Sequence, residues 1–331
     1  MALCRHIGER KVIEILTGKF DRLPNMPIPF GDDVSAYPLD EERLIILKTD
    51  MLVGGTDIPP GMSLWQAARK AVVMNVSDFA AKGVKPLCML VSLGLPRNLT
   101  VKGLEEIGEG LNAGAREYGS YIVGGDTNEA SDLVISLSVF GIAKKGTVIT
   151  RRGAKPGDIV AVTGLFGKTS AGLKMLLEGF EASREIRQSI LEAIYMPKAR
   201  LDEGLSLALT DAVTASIDSS DGLAWSLHEI SVSSNVGFLV DNPPLAPEAK
   251  MFADEHGLDP LELMLYGGEE YELVLTINPL LWSRAEDAVK GAGGRLIPIG
   301  RVTAGNLIMI ETQNERRLVA PRGWEHFKGA K

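Results

Sequence analysis

Apolar and polar positions along the chain sort into segments with helical or strand character. Residues 5–17 predict a helix, after which Pro24, Pro27 and Pro29 mark a connector. Residues 44–52 alternate loosely between apolar and polar and predict a strand. Ser63 opens the next element. Its hydroxyl can cap the first turn of a helix while Gln66 reaches back, which is the capping-box pattern. That helix is expected to reach Lys82 and to stop at Gly83. A further helix is expected over 101–118, with strands over 121–123 and 133–143.

Residues 144–158, KKGTVITRRGAKPGD, form the best boundary, being basic and holding Gly153 and a turn signal at Pro156 and Gly157. A strand over 159–163, a glycine turn and a helix from Lys168 follow, and the chain stays helix-rich to Leu209. Strands are expected over 213–217, 271–277, 295–302 and 306–311, with helices after Gly222 and over 280–290. This succession predicts an α/β (α+β) protein of two domains, 1–147 and 148–331. A length of 331 residues agrees, because it exceeds what most single cores use.

The net charge of −8 argues against a nucleic-acid binder, which needs clustered Lys and Arg. It leaves anionic substrates open, since a bound metal ion reverses the local sign. Cys4 and Cys88 are far apart and in no ligand spacing, and the four histidines are scattered, so zinc chemistry lacks its usual ligands. The two thiols read as the reduced cysteines of a cytoplasmic protein. The N-terminus is charged from Arg5 onward, with no apolar leader segment, and the longest apolar runs fall short of a membrane span.

Gly164, Gly167, Lys168 and Thr169 imitate a phosphate-binding loop. The full pattern needs a glycine five residues before Gly167, and Val162 stands there. A tight turn into a helix is expected instead, with an N-terminus that favours an anion.

The informative pattern is acidic. Asp32 and Asp33 follow Gly31, Asp50 follows Thr49, and Asp78 follows Asn75-Val-Ser77. Asp126 follows Gly124 and Gly125, Asp218-Ser-Ser220-Asp221 precedes Gly222, and Glu269 and Glu270 follow Gly267 and Gly268. Any one of these is an ordinary turn. Their apolar flanks, however, place the acids in or near the folded body, where unpaired carboxylates are costly. No matching number of basic residues accompanies them, and hard divalent ions with oxygen ligands answer that need. Such a centre without a histidine or cysteine nucleophile points to phosphoryl transfer, which needs alignment and charge neutralisation above all.

The ordered motifs GDD, TDML, NVSD, GGDT, RGAKPGD, DSSDGL, GGEEYEL and GWEHF resemble the thiamine-monophosphate kinase family, in the superfamily sharing the aminoimidazole ribonucleotide synthetase fold. The likeness spans about residues 8–327. It implies ATP-dependent phosphorylation of thiamine monophosphate to thiamine diphosphate by direct in-line transfer with Mg2+. It also implies a homodimer whose four-stranded N-terminal sheets pair into a barrel, with ATP in a cleft between the domains of a subunit.

Carried onto this chain, the resemblance implies magnesium ligands at Asp33, Thr49, Asp50, Asp78, Asp126, Asp218 and Asp221, with Asp32 as a helper. It implies nucleotide contacts at Gly125, Asp126, Arg151 and Ser220, and acceptor contacts at Asp57, Glu269 and Trp324. Asp50, Asp126 and Arg151 are the expected catalytic residues. Read without the family, Arg151 is a solvated linker arginine and Trp324 a terminal core anchor.

The chain departs from the bacterial pattern at several positions. Lys48 replaces a hydroxyl ligand, Asp57 a substrate-contacting histidine, Glu109 a nucleotide-contacting tyrosine, and Glu270 an aspartate. The competing readings are a sister ATP-dependent enzyme of the superfamily acting on another small acceptor, and a catalytically inactive ATP-binding protein. The first lacks its marks, since Cys4 has no glycine-rich neighbours and the chain ends on Lys331 rather than on a cysteine.

Overall fold

A computed structural model of the protein describes residues 3–312 and 315–327. The first half runs α1 (Cys4–Thr17), β1 (Ser35–Pro38), β2 (Arg43–Val53), α2 (Gly54–Asp57), α3 (Leu64–Lys82), β3 (Pro86–Leu95), α4 (Val101–Glu117), β4 (Ile122–Glu129) and β5 (Val134–Lys144). The second half opens with β6 (Ile159–Val162), α5 (Lys168–Glu178), α6 (Arg184–Tyr195), α7 (Leu201–Ala208), β7 (Val213–Asp218) and α8 (Leu223–Ser234). It continues with β8 (Gly237–Val240), α9 (Pro247–His256), α10 (Pro260–Tyr266), β9 (Leu273–Ile277) and α11 (Trp282–Gly291), and closes with β10 (Ile297–Thr303), β11 (Ile308–Glu311) and β12 (Arg316–Leu318).

The first sheet has the order β1-β2-β5-β3-β4 and is antiparallel except for the β3–β4 pair. The resemblance implies four strands here. Five are present, because β1 pairs with β2, setting Ser35 opposite Leu47 and Pro38 opposite Leu44. The sheet is open, with β1 and β4 at its edges, and no barrel closes among the described residues. The second sheet has the order β12-β11-β8-β10-β6-β9-β7, with only β8 and β11 parallel.

Helix α3 ties the two sheets together. Its capping box forms as the sequence predicts: the Gln66 N–H donates to Ser63 Oγ at 3.2 Å, and the Ser63 N–H donates to Gln66 Oε1 at 2.9 Å. Gly83 ends the helix with a left-handed φ of 64°. Nearly every residue from Ala67 to Lys82 is buried, as expected of a helix enclosed between layers rather than laid on a surface. One side packs on β2 and β5 and the other on α7 and β7. A single apolar cluster therefore joins Ile46, Phe79 and Leu137 to Leu207, Leu275 and Ile277 across the two halves.

Candidate active site

Four elements converge beside the C-terminal half of α3. Strand β2 alternates its faces, so Leu44, Ile46, Lys48, Asp50 and Leu52 share the side that faces α3. Helix α3 supplies Ser77 and Asp78, the end of β7 supplies Asp218, and the loop before β1 supplies Asp32 and Asp33. Carboxylate oxygens of Asp33, Asp78 and Asp218 all lie within 4.8 Å of one another, and all three residues are buried. Asp78 and Asp218 border a cavity of about 470 Å³ that also reaches Asp50, Asp57, Asp221, Glu269 and Trp324, while the Asp33 side chain lies fully enclosed behind them.

The three carboxyls are neutralised unequally. Lys82, wholly buried, reaches Asp32 and Asp33 at 2.7 Å each and also donates to the Ser216 carbonyl at 2.8 Å. Arg151 donates from Nε to Asp33 Oδ1 at 2.8 Å, with a second contact from Nη2. Its Nη1 donates to the Gly31 carbonyl at 2.8 Å and to Glu229 at 3.0 Å. Burial opposes ionisation of Asp33, but Lys82 and Arg151 outweigh it and hold the carboxyl below its ordinary value.

Asp78 has one cation, Lys48, at 2.9 Å. Burial, with Asp218, Asp33 and Asp50 nearby, pushes its carboxyl well above the ordinary range despite that lysine. Asp218 accepts from Ser77 Oγ at 2.8 Å, and burial pushes it up to about 6. Asp221 is likewise pushed up to about 7, first by burial and then by Glu9 and Asp218. A set of hard oxygen donors with too little positive charge among them fits a divalent cation such as magnesium.

The structure separates two expected ligands from this group. Thr49 lies on the opposite face of β2, where its hydroxyl donates to the Leu137 carbonyl at 2.8 Å. Asp126 is exposed on the edge strand β4, opposite Ser92 of β3. Gly125 beside it is held close to β3, where a Cβ would fall 1.9 Å from the Val91 carbonyl oxygen. Ser220 is exposed at the cavity rim.

The acceptor candidates line the same cavity. The Glu269 N–H donates to the Ser220 carbonyl at 2.7 Å, and the Tyr271 N–H to that of Ser219 at 3.0 Å. Both residues have positive φ, 65° and 52°, a conformation that costs of order 1–3 kcal/mol per residue and that functional sites concentrate. The Glu269 carboxylate is ion-paired with Lys70, which is fully buried and also donates to the Asp57 carbonyl at 2.9 Å. The Asp57 carboxylate accepts from the Val53 N–H at 2.7 Å. The Trp324 N–H donates to the Asp221 carbonyl at 3.1 Å, and its ring remains half exposed at the cavity.

The imitation phosphate loop is a turn into α5, as its spacing predicts, and the acceptor at its N-terminus is an internal carboxyl, that of Glu270. The Gly167 N–H donates to Glu270 Oε1 at 2.6 Å, with Thr169 N–H at 3.4 Å. A separate hollow of about 400 Å³ there is lined by Lys168, Glu270 and Arg295 and holds none of the clustered aspartates.

Sequence reasoning gave no site role to Lys70 and Lys82, and it quoted Ser77 only as part of the motif before Asp78, not as a partner of Asp218. A usable signal existed, since Lys70, Met74, Asp78 and Lys82 recur every four residues and share one stripe of α3.

Residues 31–143 match the AIR synthase related protein N-terminal domain and residues 155–311 the corresponding C-terminal domain, so fold and acidic cleft together define a protein of that class. The chain is 38% identical over 298 residues to the thiamine-monophosphate kinase of Nitrosopumilus maritimus, covering 90% of this chain and 93% of the relative. It is 37% identical over 323 residues to that of Pyrococcus horikoshii, covering 97% and 96%. It also superposes on AaThiL complexed with AMPPCP and TMP, with a TM-score of 0.83 at 28% identity, covering 98% of this chain and 99% of that one. The chain belongs to the thiamine-monophosphate kinase family.

Proposed function

We propose that the protein transfers the γ-phosphoryl group of ATP to thiamine monophosphate, giving thiamine diphosphate and ADP. The observation that carries this reading is the buried Asp33, Asp78 and Asp218 group beside a cavity that Asp78 and Asp218 share with Glu269 and Trp324. Relatives support it, since those of Nitrosopumilus maritimus and Pyrococcus horikoshii are thiamine-monophosphate kinases and the AaThiL structure holds AMPPCP and TMP.

Asp78, Asp218, Asp50 and Asp221 are the residues that would hold magnesium, with Asp33 braced beside them by Lys82 and Arg151. Magnesium there supplies charge neutralisation for the phosphates. Glu269 presents a carboxylate suited to the cationic thiazolium ring, and Trp324 presents an aromatic face. An oxygen of the acceptor phosphate is already anionic near neutral pH. It attacks the γ-phosphorus in line as the bond to the bridging oxygen of ADP breaks, and no general base is needed.

A homodimer is part of the same proposal. The outward face of the first sheet exposes Leu47, Met51, Leu90 and Val123, together with Thr49 and Asp126. A second copy laid on that face would cover this apolar surface and enclose those two polar groups. The proposed domains are 1–147 and 148–331, and the proposed location is the cytoplasm, consistent with the two free cysteines. No helix among the described residues is long and apolar enough to cross a membrane.

The direct test measures ADP release from magnesium-ATP with and without thiamine monophosphate, with thiamine diphosphate detected by mass. Acceptor-dependent release with matching diphosphate is the expected result. Release that ignores the acceptor would remove the substrate assignment.

A further inference from the structure

We infer that the Lys48 ammonium takes the place of one metal ion in the acidic centre, so that this chain holds one divalent cation fewer than the same carboxylates would hold beside a neutral residue. The inference rests on the kinase reading of that centre. Lys48 lies on the inward face of β2, fixed in register opposite Val139, with its side chain 21% exposed. Its Nζ stands 2.9 Å from Asp78 and 4.0 Å from Asp50, between the strand and α3.

The neighbouring contacts explain why the position matters. Asp33 has Lys82 and Arg151, and Asp218 has the Ser77 hydroxyl, whereas Asp78 has Lys48. An ammonium donates three hydrogen bonds and accepts none, so it cannot ligate a metal ion. A divalent ion bridging Asp50 and Asp78 would have to displace it or sit against a like charge at close range. The lysine therefore supplies a fixed positive charge between Asp50 and Asp78, and it does so whatever the magnesium concentration.

The test counts manganese bound per chain by electron paramagnetic resonance, with a saturating nonhydrolysable ATP analogue, in the full-length wild type, Lys48→Ser and Lys48→Arg. Lys48→Ser is expected to bind one more manganese ion than the wild type, and Lys48→Arg the same number. Equal counts in the wild type and Lys48→Ser overturn the inference. A second readout uses the wild type alone, with amine acetylation located by mass spectrometry. Labelling of Lys48 is expected to be no greater with saturating manganese than without it, whereas a rise on adding manganese means that the ion expels the ammonium and overturns the inference. Failure of every form to bind manganese would instead sink the metal-dependent kinase reading beneath it.

Discussion

The ammonium of Lys70 on α3 is ion-paired with the carboxylate of Glu269, a residue 199 positions further along the chain. The same ammonium holds the Asp57 carbonyl, so one buried cation sets two candidate acceptor contacts at once. Removing one partner of a buried ion pair leaves the other uncompensated, which typically costs about 3–5 kcal/mol. Glu269→Gln leaves Lys70 fully buried without its partner charge and is expected to fall in that range by urea unfolding. Lys70→Met is expected to lose less, because Glu269 retains 25% side-chain exposure. Both variants should raise KM for thiamine monophosphate about tenfold or more while KM for ATP stays within about twofold. A double-mutant cycle in which the two losses simply add would disprove the coupling.

Asp50→Asn and Asp126→Asn test the two sides of the first sheet. Each is expected to cut kcat by at least about a hundredfold, as loss of a transition-state charge contact does. Neither should lower the melting temperature appreciably, since both side chains are exposed to a substantial degree. Near-normal turnover in either variant removes that residue from the catalytic group. If Asp126→Asn alone retains activity, the outward face of the sheet has no part in the chemistry.

Glu270 gives a pH prediction away from the metal candidates. Burial pushes its carboxyl up to about 7, although the N–H groups at the start of α5 favour the ionised form. Between about 4.5 and about 7 the unfolded chain ionises this group while the folded one keeps its proton. Its contribution to stability is therefore greatest below that window, falls as pH rises through it, and levels off above. Urea unfolding at pH 5 and pH 8 checks this. Glu270→Gln should diminish the fall relative to the wild type, and an identical pH dependence in the two proteins would refute the assignment.

The apolar outward face of the first sheet predicts self-association. Light scattering of the purified chain is expected to give twice the monomer mass, and Leu90→Lys, at an exposed position on β3, should give the monomer. A monomeric wild type would dispose of the proposed dimer.

Much of this architecture is legible before any coordinates. Both ends of α3 follow from the side-chain chemistry of Ser63, Gln66 and Gly83, because caps are local interactions. Strand β3 escaped because Pro86–Leu95 is a nearly continuous apolar run directly after a helix, with no alternation to announce it. Strand β4 runs on through Gly124, Gly125 and Asp126, residues that disfavour strands, so only its start could be read. The acids of the buried group declared themselves through their flanks. The division of β2 between its faces was available from parity alone, which pairs Lys48 with Asp50 and sets Thr49 apart. The buried lysines were legible only from their four-residue spacing with Asp78, since charge alone does not show that Lys82 or Lys70 points inward toward residues so distant in sequence.

The enclosure of α3 bears on how this molecule folds and moves. Two domains joined by a peripheral linker can rotate about it, and each can fold by itself. Here the first half contributes a helix whose outer surface is the floor for α7 and β7, so one apolar cluster is shared by both halves, while another lies wholly within the second. A chain cut after residue 147 would leave that side of α3 open to water. Loss of the shared cluster should accordingly expose apolar surface on both halves at once.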